Sequence, residues 1–568
     1  MKESEEDSMV EICKTRLRSQ VTNFDELPIP DRSLVDIEKY NQTIGLAMVK
    51  HCISLQATRG CPYNCAFCSK VWPKKHVFRS AEHIFNEVKL YYDMGIRRFS
   101  FIDDVFNLNV KNSSKFFELI IKNGMDVQFF FPAGIRGDIL TPEYIDLMVE
   151  GGTINMALAL ETSSPRLQKL IRKNLNIEKL RENIEYICEK HPKVVLDLFA
   201  IYGFPSETEE EALLTLEFIK GLKWLHFPYI YILKIYPNTD MEYIAMEHGI
   251  SQKSILRSVN LGWNELPDTL PFDKEFALRY KAKFLDEYFL ERERLLHVLP
   301  YQIKVLTEEE LVQKYNSYLP VQINTFHDFL QFVGIKEEEV RKSDYLDKDS
   351  YFTPGLNVKL RESFHKKEPV ENALRVLLMD LSQSFRDQSR LLDDLFEAPL
   401  GLMYILSYIN QQYGSKVHGK IAKSRIDFDD YEELKAVLEE FNPGVIGIRT
   451  LSFYKDFMHK TVEMIRKWGI EVPIIVGGPY ATSDYESNLQ DPNIDLVVLG
   501  EGEITFSELI GKIIENGGGL PDESVLEEIA GITFIRGRVV SRKAFVEGLA
   551  ETERGEILSQ FNDDLEDE

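Results

Sequence analysis

The stretch ATRGCPYNCAFCSK, residues 57–70, sets three of the chain's six cysteines within eight positions, at 61, 65 and 68. An odd number of crowded thiols suits neither a closed disulfide pair nor a zinc site built from four cysteines, so another group must complete the coordination. The loop follows the apolar run CISLQA (52–57), the first strand of an α/β alternation, which places it at the C-terminal rim of a sheet. Three thiolates on a short loop can each bind one iron of a four-iron, four-sulfur cluster and leave the fourth iron open to a small molecule. Two other readings stay open. Cys61, Cys65 and Cys68 with His76 or His51 would form a zinc site of three thiolates and one imidazole, or the three thiols are structural.

Around this loop, residues 53–240 alternate short apolar runs with longer amphipathic stretches. Six strand candidates with helices between them predict successive βα units and a parallel sheet, enough for an open part-barrel and too few for a closed eight-stranded one. Residues 251–370 change character to Leu, Glu, Lys and Tyr, and are expected to form a helical extension that shapes the substrate pocket. From 374 the alternation returns, with LRVLLMDL, KVHGKIA, GVIGIRTL, PIIVGG and DLVVLGEGE as strands of a second, doubly wound α/β domain. The expected organisation is an N-terminal segment and connector (1–45), a barrel (46–250), the helical region (251–370), a C-terminal Rossmann-like domain (371–546) and an acidic tail (547–568).

Composition narrows the class. A chain of 568 residues is too long for one core and predicts three or four folding units. No segment approaches the roughly 20 apolar residues of a membrane span. The start, MKESEEDSMVEICK, is acidic where a secretory signal would be basic and then apolar, and Cys13, Cys52 and Cys188 are scattered, so a cytoplasmic location is expected. A net charge of −25 disfavours a broad grip on nucleic acid.

At the cysteine loop the chain resembles the radical S-adenosylmethionine (SAM) superfamily, whose CxxxCxxC loop has an aromatic residue before the last ligand, here Phe67. The resemblance implies a partial (β/α)6 TIM-like barrel, a 4Fe-4S cluster on Cys61, Cys65 and Cys68, and SAM chelated at the open iron. It also implies an electron donor such as flavodoxin or ferredoxin. Further matches imply SAM contacts. Asp103 and Asp104 end the second strand, although paired acids there also serve as caps. Arg136 follows the third strand, and Glu161 and Ser163 end the fourth; Glu161 pairing with Arg136 is an equal alternative. Gly203 opens AIYGFPSET, which resembles a GFPGET turn with Ser206 in place of glycine, and YPNTD carries Asn238 where glycine is usual.

The C-terminal domain resembles the cobalamin-binding domain of cobalamin-dependent radical SAM enzymes, and this implies cobalamin contacts at Pro399, Gly401, Thr450, Leu451, Gly477, Gly478, Gly500, Glu501 and Gly502. Tight βα turns need glycine in any case. MDLSQSFRDQ (379–388) has no histidine to ligate cobalt from below, His418 reads as an ordinary strand residue, and Arg449 stands where relatives have a small hydroxyl residue. Relatives usually run from cobalamin domain through connector to radical domain, whereas the connector-like NFDELPIPDRSLVDIEKY here precedes the cysteine loop, as in a circular permutation.

The expected function is a cobalamin-dependent radical C-methyltransferase acting on an unactivated carbon of a small-molecule, carrier-bound or peptide substrate, in biosynthesis of a natural product or modified peptide. The alternatives are a rearrangement or cyclisation with the same cofactors, and a conventional radical enzyme or iron-sulfur binding protein whose C-terminal domain only docks. No catalytic side chain is identified. Transfer RNA methylthiolation is disfavoured, because the chain has neither a second N-terminal cysteine set nor a small C-terminal RNA-binding barrel.

Overall fold

The computed structural model describes residues 11–69, 74–259, 261, 265–340, 346–364, 369–386 and 395–538. The expected acidic tail lies outside the described residues. Among the described residues no helix is long and apolar enough to cross a membrane. Two compact units emerge, residues 21–364 with 395–400, and residues 11–20 with 369–386 and 401–538.

The described residues form the strands β1 (Ile12–Lys14), β2 (Cys52–Leu55), β3 (Thr58–Arg59), β4 (Val77–Phe78), β5 (Arg98–Phe101), β6 (Gln128–Ile135), β7 (Thr153–Glu161), β8 (Val195–Tyr202), β9 (Phe227–Ile232), β10 (Leu374–Asp380), β11 (Val417–Lys423), β12 (Val445–Arg449), β13 (Ile474–Gly477), β14 (Leu496–Val498) and β15 (Ile532–Ile535). In the first unit, β2-β5-β6-β7-β8-β9 form a six-stranded sheet in sequence order with every pairing parallel, the open barrel that six βα units predict. The intervening helices start where the chain supplies caps: Ser80 accepts from the His83 amide, Asn109 from Asn112, and Thr208 forms a reciprocal capping box with Glu211. Their apolar faces bury the outer side of the sheet. Phe99, Phe101, Phe116, Phe117, Phe129 and Phe131 are all essentially inaccessible there.

A buried ionic triad fixes the barrel's first strand. Arg32, from the connector, and Arg79 both pair with Glu87, at 3.1 and 2.5 Å, and all three side chains are only 1% exposed. The same guanidiniums donate to main-chain carbonyls, Arg79 to Gln56 at 3.0 Å and Arg32 to Ser54. Burial works against the Glu87 charge, yet its two cations hold the carboxyl below its usual range.

Part of the helical region lies at the C-terminal ends of the strands, where Phe272 stacks on Tyr202 with ring centroids 6.2 Å apart. Other parts close the opposite end and the open edge. Arg98, the first residue of β5, pairs with Glu310 at 2.6 Å, and Lys314 pairs with Asp197 of β8 at 2.9 Å, each pair almost wholly buried. On the edge strand β9, the Tyr318 hydroxyl takes the Ile230 amide at 3.2 Å and donates to the Ile230 carbonyl. That pair of contacts blunts an edge that would otherwise offer bare main chain.

In the second unit the order is β1-β15-β14-β13-β12-β10-β11, with β11-β10-β12-β13-β14 parallel and the last two strands antiparallel. The expected doubly wound domain is present, with one correction. Residues 11–20, read from sequence as part of the N-terminal segment, belong to this unit: β1 pairs with β15, Arg18 donates to Thr505 Oγ1 at 2.9 Å, and the Arg536 amide donates to the Glu11 carbonyl at 2.9 Å. No local pattern announces a strand pairing across some 520 residues. A three-residue strand completes a sheet encoded at the far end of the chain.

Removing Glu87 takes from two buried guanidiniums the carboxylate that they share. Glu87→Ala is therefore expected to lower the unfolding free energy by about 3 to 5 kcal/mol in denaturant titration; a loss under about 1 kcal/mol would show that the triad does not anchor the strand.

Candidate active site

The cysteine loop is held at its start, middle and end. Where the chain leaves β2, the Asp103 carboxylate accepts the amides of Ala57, at 3.0 Å, and Thr58. Asp104 accepts the Gly60 amide at 2.9 Å. Asp103 can sit there because Gly134, at φ +77°, has no side chain: a Cβ would lie 2.2 Å from the Asp103 carbonyl oxygen. At mid-loop, Ala66 is fully buried, its amide donating to the Ile171 carbonyl at 2.9 Å and its carbonyl accepting from the Met241 amide at 2.8 Å. Beyond the last thiol the antiparallel pair β3–β4 closes the loop's ends.

Cys61 and Cys65 are half-buried and Cys68 is exposed. Burial pushes the Cys61 and Cys65 thiols up, so binding of a metal cluster there displaces protons. Zinc would require four donor atoms about 2.0–2.3 Å from one point. Among the described residues no three His, Cys, Asp or Glu side chains are grouped as such a site. His76 faces the Val105 carbonyl at 3.0 Å, and His51 is buried against Phe352. Thiolates that each take a separate iron need no such convergence, and the donor set suits a 4Fe-4S cluster.

Of the residues read as SAM contacts, Phe67 packs on Phe204 with ring centroids 6.3 Å apart. Asp103 spends one oxygen on the loop, while its Oδ2 is buried without a partner, and burial pushes the carboxyl up to about 7. Arg136 and Glu161 do not pair. Arg136 forms a two-point contact with Asp138, at 2.8 and 3.2 Å, and lies 4.0 Å over the ring of Tyr63 in the cysteine loop. Glu161, at φ +64°, takes Lys173 at 2.6 Å. The Ser163 amide donates to Thr215 Oγ1 at 3.1 Å, and its buried hydroxyl has no partner. Gly203, at φ +90°, and Phe204 donate their amides to Glu207, at 2.5 and 3.0 Å. Ser206 and Asn238 adopt φ +67° and +62°, so both turns keep a left-handed geometry without the family's glycine.

Tyr63, Asp138, Lys173 and the Arg32–Glu87–Arg79 triad were not singled out from sequence. None of them stands in a recognisable spacing. The free oxygens of Asp103 and Ser163, close in sequence to strand C-termini beside the thiol loop, fit a polar cofactor.

In the second unit the strand order reverses between β10 and β12, the point at which doubly wound sheets place ligands. Asp380 ends β10 there, with Lys423 at 2.9 Å and Arg449, at the end of β12, at 3.0 Å. Burial opposes the Asp380 charge, but the two cations hold its carboxyl well below the usual range. The Arg449 side chain stays 30% exposed. It also uses the space bared by Gly478, where a Cβ would meet Arg449 Cγ at 3.0 Å. Gly500, at φ +74°, and Gly401 have nothing within 4 Å of a Cβ position, whereas a Cβ on Gly502 would meet Ile405 Cδ1 at 2.9 Å. Gly477 directly precedes the helix Gly478–Ser483, and Glu501 precedes the helix Gly502–Glu515. Thr450 spends its hydroxyl on the Leu381 carbonyl at 2.7 Å, and Leu451 is half-buried. Pro399 falls in the barrel unit rather than with Gly401. His418 is an exposed strand residue against Phe441. Bare backbone at Gly401, after β10, and at Gly500, after β14, fits a bulky ligand.

Residues 55–219 match the radical SAM superfamily and residues 395–510 match the B12 binding domain. The chain thus carries a radical SAM domain followed by a B12 binding domain. These domains imply a 4Fe-4S cluster, SAM and cobalamin as cofactors. An uncharacterised methyltransferase of Pyrococcus horikoshii is 30% identical over 239 residues, 41% of this chain and 49% of the relative. Bacteriochlorophyllide d C-12(1)-methyltransferase of Chlorobaculum tepidum is 27% identical over 193 residues, 33% of this chain and 41% of the relative. The chain thus spans half or less of each relative's length. Among solved structures, the radical SAM methyltransferase TsrM from Kitasatospora setae, with cobalamin and a [4Fe-4S] cluster bound, matches 37% of this chain and 38% of its own, at 18% identity and a TM-score of 0.33.

Burial pushes the Glu207 carboxyl up to about 8, despite the two amides it accepts, and leaves its Oε1 without a partner. A raised folded-state pKa contributes stability at low pH that is lost as pH rises through about 8. Glu207→Gln keeps an acceptor for both amides and does not titrate. The variant is expected to gain about 2 kcal/mol on the wild type between about pH 6 and about pH 9 in unfolding titrations. Parallel pH profiles would contradict the assignment.

Proposed function

We propose that the chain is a cobalamin-dependent radical SAM methyltransferase that methylates an unactivated carbon of a small molecule, carrier-bound metabolite or peptide, in biosynthesis of a natural product or modified peptide. The observation that supports this most is the presence of two cofactor-type sites in one chain: three thiols pinned at a barrel rim, and bare glycine backbone after β10 and β14 in a region that matches a B12 binding domain. With cluster, SAM and cobalamin bound, the cofactors would supply hydrogen-atom abstraction from the carbon and a methyl group to put in its place.

The chain's own residues have separable tasks in this reading. Cys61, Cys65 and Cys68 hold three irons, and Asp103 and Asp104 fix the angle at which the thiols leave the sheet. Arg136 braces Tyr63 in the same loop. Ser163, with its free hydroxyl, and the Glu161–Lys173 pair bind the polar parts of SAM. At the other site, Gly401 and Gly500 admit the corrin. Arg449, tethered by Asp380, presents a cation there, and the described residues after β10 (Leu381–Arg386) offer no imidazole to the metal. An electron donor of the flavodoxin or ferredoxin type would reduce the cluster.

A substrate-independent test is available. The full chain, reconstituted anaerobically with iron, sulfide and cobalamin, desalted, reduced and given SAM, is expected to retain corrin absorbance and to form about one S-adenosylhomocysteine per bound cobalamin, because methyl transfer to the reduced corrin precedes any reaction with substrate. Absence of retained corrin would favour a docking role for the C-terminal domain. Retained corrin without S-adenosylhomocysteine would favour rearrangement chemistry.

A further inference from the structure

The ends of β11, β10 and β12 carry a row of charges. Lys423, Asp380 and Arg449 are neighbours in register across these three strands. Asp380 accepts from Lys423 at 2.9 Å and from Arg449 at 3.0 Å, and Lys423 also donates to Ser382 Oγ at 3.0 Å. The Asp380 and Lys423 side chains are 1% and 4% exposed. Side chains alternate along a strand, so the row shares a face of the sheet with Gly419 of β11, Leu378 of β10 and Gly447 of β12, which form the layer beneath it.

Two helices, Leu400–Tyr413 and Gly502–Glu515, press onto that layer. Leu406 takes up the space over Gly419, and a Cβ on Gly447 would meet Leu378 Cδ2 at 2.7 Å and Phe506 Cζ at 3.2 Å. The helices also meet each other. Ile405 fills the space beside Gly502, and the Tyr413 hydroxyl donates to the Ser507 carbonyl at 2.8 Å. On the opposite face of the sheet, Phe385, in the segment after β10, packs against the core with ring centroids 4.9 Å from Tyr431 and 4.8 Å from Phe457. Among the described residues the strand ends are thus packed on both faces. Bare backbone remains only at the rim, at Gly401 and Gly500, beside the starts of the same two helices.

Cobalamin is a corrin ring from which a nucleotide hangs, a ribose phosphate ending in a dimethylbenzimidazole base. To enter the domain from the glycine rim, that nucleotide would have to pass between the sheet and the two helices. It would push Ile405 off Gly502 and part the row of charges, leaving buried ions unpaired, in a layer whose close packing has no room for another aromatic ring. Arg449 stands at the mouth of this path, its Cγ 3.0 Å from the Cβ position of Gly478. A small hydroxyl residue at 449, as relatives have, would clear that space.

We propose that Arg449, Asp380, Lys423 and Ile405 shut the domain to the nucleotide, so that it recognises the corrin ring alone and takes a corrinoid without a nucleotide as readily as cobalamin. This rests on the reading that the domain binds cobalamin, and adds which part of the cofactor it selects.

The test is equilibrium dialysis of the full chain, with its cluster reconstituted, against aquocobalamin or diaquocobinamide, the bound corrinoid being read from its visible absorbance. The two dissociation constants are expected to agree within about threefold. Cobinamide binding weaker by at least about tenfold, the effect of losing one buried aromatic group, would overturn the inference. The double variant Ile405→Ala, Arg449→Ser keeps the Asp380–Lys423 pair and opens the path. It is expected to favour cobalamin over cobinamide by about tenfold or more; a folded double variant that still binds both equally would overturn the assignment of these side chains. The two levels fail separately. If the wild-type chain retains cobalamin and rejects cobinamide, the inference alone is wrong; if it retains neither, the cobalamin reading falls with it.

Discussion

One buried carboxylate sets the geometry of the radical site. Asp103 sits at the end of β5, receives the amides of Ala57 and Thr58, and thereby fixes the direction in which the chain leaves β2 toward its three thiols. The Asp103 main chain lies so close to β6 that Gly134 there can carry no side chain. From the other side, Arg79 and Arg32 hold the carbonyls of Gln56 and Ser54, and share Glu87 as counter-charge. The loop's exit is thus fixed through both its amides and its carbonyls. Downstream, the buried Ala66 backbone is tied to Ile171 and Met241, which positions Cys65 and Cys68 relative to helices from two later βα units. Each of these restraints comes from a different strand-to-helix connection, so the cluster loop is assembled only when most of the barrel is.

The same logic separates what was legible in the sequence from what was not. Alternating apolar runs, caps such as Thr208 with Glu211, and glycine-rich turns are local signals, and six parallel strands followed by a doubly wound domain were accordingly readable. The cysteine spacing was readable for the same reason. Partners set by tertiary folding were not. Glu161 was weighed against Arg136, but Lys173 lies only twelve residues on, in a turn where Arg172 and Asn174 both take left-handed conformations that no motif signals. The strand β1 was invisible because its partner is at the other end of the chain. The helical region was assigned to the pocket on composition alone, which gives no sign that its charged residues Glu310 and Lys314 meet inward-facing charges on the barrel strands.

Ser206 and Asn238 show how a departure from a family pattern can be absorbed. Both replace glycine, and both occupy the left-handed region at a modest local cost, with Ser206 steadied by Arg166 on its carbonyl at 2.8 Å. Arg449 is a departure of a different kind. It brings a new charge to the switch point of the C-terminal sheet, and Asp380, held ionised by Lys423 and Arg449 together, keeps that charge in place.

The central claim is that Cys61, Cys65 and Cys68 hold a four-iron cluster with one iron open to SAM. Low-temperature electron paramagnetic resonance of the reduced, reconstituted full chain, recorded with and without SAM, tests it most directly. The account requires a single four-iron signal whose g-values shift when SAM is added, and which is lost when any one of the three cysteines is replaced by alanine. A signal indifferent to SAM, or a chain that takes up zinc and no iron, would contradict it.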